Sequence, residues 1–173
     1  IDEAIAYADE IDANAIHVMA GCARGEQAHD CFLKNLEYAS SNTSRTILIE
    51  ALNPYDAPGY FLENTHQAAN LIKELGVPNL KLMFDCYHVG RTEGDTVGNT
   101  EDNVEDRLKA LLPIIGHIQF ASTPLRGSPD TGELDYKSIF QTLKSFGWNK
   151  PLGAEYKPNG STEDSLGWMQ TLV

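Results

Sequence analysis

One texture repeats along this chain: an apolar stripe at helical spacing, then a short β-rich run. Ile1, Ile5, Ala8 and Ile11 precede "AIHVMAG"; Phe32, Leu33, Leu36 and Ala39 precede "TILIEALN"; Ala68, Leu71, Ile72 and Leu75, closed by Gly76 and Pro78, precede "LKLMFDCYH". The cycle returns with Val104, Leu108, Leu111 and Leu112 before "GHIQFAS", and with Tyr136, Ile139, Phe140 and Leu143 before "PLGAEYKP". Thr162, followed by Glu163 and Asp164, reads as the capped start of a last helix. Strict alternation of strand and helix demands a parallel sheet with helical cover. Five strands fit an open doubly wound sheet and part of a (β/α)8 barrel equally, so the pattern leaves both open.

Charge narrows the partners. Against 25 Asp and Glu stand 13 Lys and Arg, a net charge of -12, which disfavours nucleic acid and anionic membranes. Cys22, Cys31 and Cys86 are scattered and odd in number, which predicts a reducing, cytoplasmic setting and a packing role for the thiols. No run approaches the length of a membrane span. A chain of 173 residues, 42% hydrophobic, has enough apolar material for one sizeable core, and one domain is expected.

Function enters at the strand ends. Glu50, Asp85, Gln119 and Glu155 each come late in a β-rich run, separated by 35, 34 and 36 residues, or one βα unit each. In a closed barrel all four project near the C-terminal mouth, where barrel enzymes keep their chemistry. Glu155, in the middle of "LGAEYKP", would be costly to bury without a partner. A single acid at a strand end reads most simply as a helix cap or a solvated loop residue; four in register point to a shared ion. Three carboxylates and an amide oxygen form a hard set suited to Mg²⁺ or Mn²⁺.

"ILIEALNPYDAPGYFL", "KLMFDCYHVG", "GHIQFASTP", "PDTGELDY" and "GAEYKPNGSTEDSLGW" resemble the hydroxypyruvate isomerase family of xylose-isomerase-like TIM barrels, and "HVMAG" extends the match over the whole chain. The resemblance implies a divalent ion held by Glu50, Asp85, Gln119 and Glu155, with Glu50 and Glu155 as the acid/base pair. It implies interconversion of hydroxypyruvate and tartronate semialdehyde, a reaction of glyoxylate metabolism, through an enediolate and without an organic cofactor. One glutamate removes a proton and the other delivers it. Within the same superfamily a ketose 3-epimerase is the rival; from another class, a truncated or degenerate non-catalytic paralogue. Endonuclease IV shares the barrel, but its DNA substrate conflicts with the negative charge. The expected partner is a small hydroxy-keto acid or ketose.

Three further residues are expected on the substrate. His88, in "DCYH", and Asp56 match substrate-side positions of the family, against duller readings as a helix cap and a turn former before Pro58 and Gly59. Arg126, in "PLRGSPDTGE", is suited to bidentate recognition of a carboxylate. Ser128 departs from the family's acidic position, and the acidic stretch around Asn99 is expanded.

A complete barrel needs about 250 residues, and the chain starts just before what the resemblance makes the fourth strand. The expected architecture is therefore a barrel portion holding strands four to eight, one partial domain over residues 1–173. Its open edges would favour pairing with another chain, a homo-oligomer included.

Overall fold

The computed structural model describes residues 1–92 and 103–172. The expanded acidic stretch around Asn99 lies outside the described residues. The β-rich runs become strands β1 (Ala15–His17), β2 (Thr46–Glu50), β3 (Leu80–Asp85), β4 (Ile115–Phe120) and β5 (Leu152–Ala154). The helices are α1 (Asp2–Glu10), α2 (Glu26–Ser41), α3 (Thr65–Leu75), α4 (Cys86–Thr92), α5 (Val104–Leu111), α6 (Tyr136–Ser145) and α7 (Met169–Leu172). The strands are ordered β1-β2-β3-β4-β5 in one sheet, each beside its neighbour in sequence. The pairs β1–β2, β2–β3 and β4–β5 are parallel, as strands joined by crossover helices must be. Among the described residues no helix is long and apolar enough to cross a membrane.

Two compact units divide these elements: Ile1–Phe84 with Leu111–His117, and Asp85–Ala110 with Ile118–Val173. In the first, Ile47, Ile49, Leu80 and Leu82 are buried on the strands, and Leu36, Ala68 and Leu71 are buried on α2 and α3. α3 starts at Asn64, whose side chain accepts the Gln67 N–H, and ends at Gly76 in the left-handed conformation, as the glycine and following proline foretold. Asn79 fastens the approach to β3 by donating Nδ2 to the carbonyls of Ser40, Thr43 and Arg45 at 3.0 to 3.2 Å. The stripe expected on the first helix is only partly used. Ala8 is buried, whereas Ile1 and Ile11 remain 45% and 56% exposed.

In the second unit the apolar face of α6 meets β4. Phe120 lies 5.5 Å from the Tyr136 ring, 5.2 Å from Phe140 and 5.5 Å from Trp168, in tilted or edge-on contacts. Asp135 caps α6 by accepting the N–H groups of Lys137 and Ser138. Trp168 donates Nε1 to the Tyr156 hydroxyl at 3.2 Å, which makes it a packing residue with a satisfied polar edge.

Two boundaries differ from the sequence reading, both for local reasons. "LKLMFDCYH" is a strand only as far as Asp85, because the Asp85 carboxylate accepts the Tyr87 N–H at 2.8 Å and opens α4. The last helix begins as a 3-10 segment, Glu163–Trp168. Its capping oxygen is Ser161 Oγ, which accepts the Asp164 N–H at 3.1 Å, and Thr162 makes no side-chain cap.

Candidate active site

Glu50 closes β2 in the first unit and is 4% exposed. A carboxylate so buried needs company. His17, at the end of β1, brings Nε2 to 3.6 Å from Glu50 Oε2. The register pairs Glu50 with Met83 of β3. From the sequence His17 reads as a structural or pocket-wall residue rather than a ligand. It precedes Glu50 by 33 residues, close to the one-unit spacing that singled out the other four.

The loop after β2 is built on an Asx turn. Asn53 is fully buried; its Oδ1 accepts the N–H groups of Tyr55 and Asp56, and its Nδ2 donates to Asp56 Oδ2 at 3.0 Å. Asp56 itself is exposed. Tyr60 Oη accepts the Ala20 N–H at 2.7 Å. Burial, reinforced by the Glu50 carboxylate, pushes the Tyr60 phenol above its ordinary value, against the pull of the Ala20 bond.

The second unit brings together Asp85, His88, Arg126 and Glu155. Asp85 ends β3 with 2% of its surface exposed. One oxygen caps α4. The other, Oδ2, is buried and accepts no hydrogen bond from any described residue. His88 Nε2 lies 3.7 Å from that oxygen and Arg126 Nη2 lies 3.6 Å from it. Burial pushes the Asp85 carboxyl up to about 6; Tyr87 N–H, Arg126 and His88 N–H oppose the rise, and Glu155 adds to it.

Gln119 sits in β4, in register with Gly153 of β5. The pairing runs one step further, because Glu155 N–H donates to the Phe120 carbonyl at 3.1 Å. Glu155 is two residues beyond Gly153, so Gln119 and Glu155 share a face of the sheet. Gln119 Oε1 is buried and, among the described residues, accepts nothing. Glu155 follows the end of β5 with its side chain 53% exposed, and Arg126 Nη2 stands 2.9 Å from its Oε2.

Arg126 is held from several sides. Its N–H donates to the Ser122 carbonyl at 2.9 Å and its carbonyl accepts the Lys157 N–H at 2.7 Å. The backbone is left-handed, with φ 55°. The guanidinium carbon lies 5.1 Å from the centre of the Tyr87 ring. Ser128 contributes its carbonyl to this loop, accepting the Thr131 N–H and hydroxyl. Cys86, adjacent to Asp85, is buried with its thiol pushed well up by desolvation, as a packing residue is, whereas Cys22 and Cys31 are exposed and depart from the packing role expected of all three thiols.

Two buried oxygens, Asp85 Oδ2 and Gln119 Oε1, that accept no hydrogen bond among the described residues suit a hard divalent cation. The Asp85 and Gln119 oxygens would hold such an ion without surrendering any hydrogen bond. Arg126 and His88, which cluster on Asp85, are polar groups able to meet an anionic ligand.

The chain is 38% identical to 2-oxo-tetronate isomerase of Cupriavidus necator, a match covering 100% of the chain and 66% of that protein. It is 37% identical to hydroxypyruvate isomerase of Escherichia coli, over 96% of the chain and 64% of the relative. It thus spans about two thirds of the length of these curated relatives. Among solved structures, AP endonuclease, family 2, from Brucella melitensis is similar with TM-score 0.88 and 33% identity, covering 98% of this chain and 65% of that one. The family model for the xylose isomerase-like TIM barrel matches residues 1–172, and the chain belongs to that family.

Proposed function

We propose that the protein is a metal-assisted isomerase of small 2-oxo hydroxy acids, interconverting hydroxypyruvate and tartronate semialdehyde. Glu50, Asp85, Gln119 and Glu155 are the oxygen ligands of one Mg²⁺ or Mn²⁺, and no organic cofactor takes part. The observation that carries this reading is the pair of buried oxygens, Asp85 Oδ2 and Gln119 Oε1, that accept no hydrogen bond among the described residues. Such atoms are rare in folded proteins unless an ion or water meets them.

The chemistry assigns two glutamates. One of Glu50 and Glu155 takes a proton from the carbinol carbon of hydroxypyruvate; the other delivers a proton to the neighbouring carbonyl carbon. The hydroxyl proton passes between the two oxygens, so the enediolate collapses to the aldehyde with atoms and charge conserved. When bound, the divalent ion supplies Lewis-acid stabilisation of the charge developing on those oxygens. His17 brings Nε2 to 3.6 Å from the Glu50 carboxylate and so helps to orient it. Arg126 and His88 receive the substrate carboxylate, and Asp56 lies on the substrate side.

The relatives named for hydroxypyruvate and for 2-oxo-tetronate support a 2-oxo acid with an adjacent hydroxyl as the substrate class. A net charge of -12 speaks against DNA as a substrate, because phosphates would be repelled. The setting proposed is cytoplasmic, and the described residues are one partial barrel domain that closes, or pairs with a second copy, in the working protein. The test is to assay the full-length protein on hydroxypyruvate and on 2-oxo-tetronate, before and after chelation and with Mg²⁺ or Mn²⁺ restored. Turnover that a chelator abolishes and the ion restores is expected; undiminished turnover after complete chelation would overturn the metal-assisted reading.

A further inference from the structure

We propose that Arg126 is the resident counter-ion of Asp85 and Glu155, and that a divalent ion binding between these carboxylates releases its guanidinium to grip the carboxylate of the substrate. This rests on the metal-assisted reading above and adds an order to it: ion first, anionic substrate second.

Two of the four assigned ligands already share a cation. Arg126 Nη2 is 2.9 Å from Glu155 Oε2 and 3.6 Å from Asp85 Oδ2. The same side chain donates Nε to the Glu155 carbonyl at 3.4 Å. Its backbone is fixed on one side to Ser122 and on the other to Lys157. The guanidinium rests against Tyr87 and is mostly buried, with side-chain exposure 19%. This is a built contact rather than a surface pair, and it neutralises one of two carboxylates that otherwise repel each other.

A dication at the same carboxylates displaces that partnership, since two cations a few ångströms apart in a shielded site are mutually unfavourable. Once Glu155 turns to the ion, the fork of Arg126 has lost its strongest acceptor. It remains anchored by its backbone and by Tyr87, and a carboxylate ligand fits the same bidentate geometry. Metal and carboxylate therefore bind with positive coupling, and linkage makes the coupling reciprocal. His88 contributes at the Asp85 end, its Nε2 3.7 Å from Oδ2.

The experiment measures Mn²⁺ binding to the full-length protein from the electron spin resonance signal of free Mn²⁺, with and without saturating pyruvate. Pyruvate keeps the 2-oxo carboxylate but has no hydroxyl to isomerise. In the wild type, pyruvate should tighten Mn²⁺ binding about fivefold or more, the usual lower range of allosteric coupling. Arg126→Gln should bind Mn²⁺ alone about fivefold more tightly than the wild type and lose the response to pyruvate. Arg126→Lys keeps the charge without the fork; it should hold wild-type Mn²⁺ affinity and lose most of the pyruvate response, and it carries the test if the glutamine variant does not fold. Weaker Mn²⁺ binding in Arg126→Gln, or an unchanged pyruvate response in both variants, would overturn the counter-ion proposal while leaving the metal site standing. A wild-type protein that binds no Mn²⁺ would overturn the metal-assisted reading itself.

Discussion

Asp85 Oδ1 accepts the Tyr87 N–H at 2.8 Å, so one half of the carboxylate is committed to the backbone while the other half is buried and, among the described residues, accepts no hydrogen bond. The strand end and the helix start are thereby made by the same side chain that the proposed metal site would use. A residue with both duties cannot rotate away from the site, and its ionisation is felt by the fold.

In the ion-free protein that ionisation should be visible in stability. The carboxyl is pushed up to about 6 from an ordinary 3.8, so the folded state holds the proton more tightly than the unfolded state. Stability from this group is greatest below the unfolded value, falls as pH rises from about 4 to about 6, and is level above that, a loss of roughly 3 kcal/mol. Calorimetric unfolding in chelator should show this fall. Asp85→Asn should flatten it and unfold at higher temperature than the wild type near neutral pH, and added Mn²⁺ should rescue the wild type alone. A wild-type profile that rises between these pH values would contradict the assignment.

The two glutamates should prove indispensable where the glutamine is not. Glu50→Gln and Glu155→Gln each remove a group that can take or give a proton, and each should lower kcat by about 10²–10⁴-fold on hydroxypyruvate. Gln119→His exchanges one ion ligand for another and should retain a substantial fraction of the rate. Near-normal turnover in either glutamate variant would defeat the two-carboxylate mechanism.

Much of this was legible in the amino-acid order. Glu50, Asp85, Gln119 and Glu155 could be picked out because a βα unit has a nearly fixed length, so strand ends recur at nearly fixed intervals. The parallel sheet was legible because strands and helices differ in period. His17 lies at nearly the same interval, yet a histidine opening "HVMAG" reads as a structural or pocket-wall residue until β1 is seen to stop there. The pairing of Arg126 with Glu155 had no local signal. It depends on a left-handed backbone at an arginine and on a loop that returns 29 residues later, and neither is written in propensity or periodicity. The switch from strand to helix at Asp85 was hidden for a related reason: a side chain capping the next helix reads, in one dimension, as one more residue of an apolar run.

The hydroxyl of Tyr136 ties α6 to the end of β4. It is buried and donates to the Ala121 carbonyl at 2.6 Å, and burial holds the phenol far above its ordinary titration range. Tyr136→Phe keeps the ring stack with Phe120 and Phe140 but strands that carbonyl in an apolar setting. Denaturant unfolding should show a loss of about 1–3 kcal/mol, with the fold retained. A loss below measurement would mean that water or another donor takes over the carbonyl.

The last expectation concerns the loop that presents Arg126. Its first turn is closed by Ser122 N–H to Gly127 and by Arg126 N–H to Ser122, and its return by Glu133 N–H to the Thr123 carbonyl. Gly132 faces that return at φ 79°, and a Cβ there would overlap the Thr123 carbonyl oxygen and come within 2.9 Å of Ser122 Cβ. Backbone cannot yield as a flexible side chain can, so Gly132→Ala must push the Ser122–Thr123 segment outward. Ser122 is also the acceptor that fixes the Arg126 N–H, so the displacement passes to the guanidinium and its hold on Glu155. Gly127→Ala is the matched control: its added methyl meets the Ser122 hydroxyl at 3.2 Å and the Thr131 hydroxyl at 3.9 Å, both side-chain atoms and neither as close as the Thr123 carbonyl. Gly132→Ala should cost roughly 1–3 kcal/mol of stability and raise KM for hydroxypyruvate, whereas Gly127→Ala should do markedly less of both. Equal effects in the two variants would show that the Gly132 contact does not position Arg126.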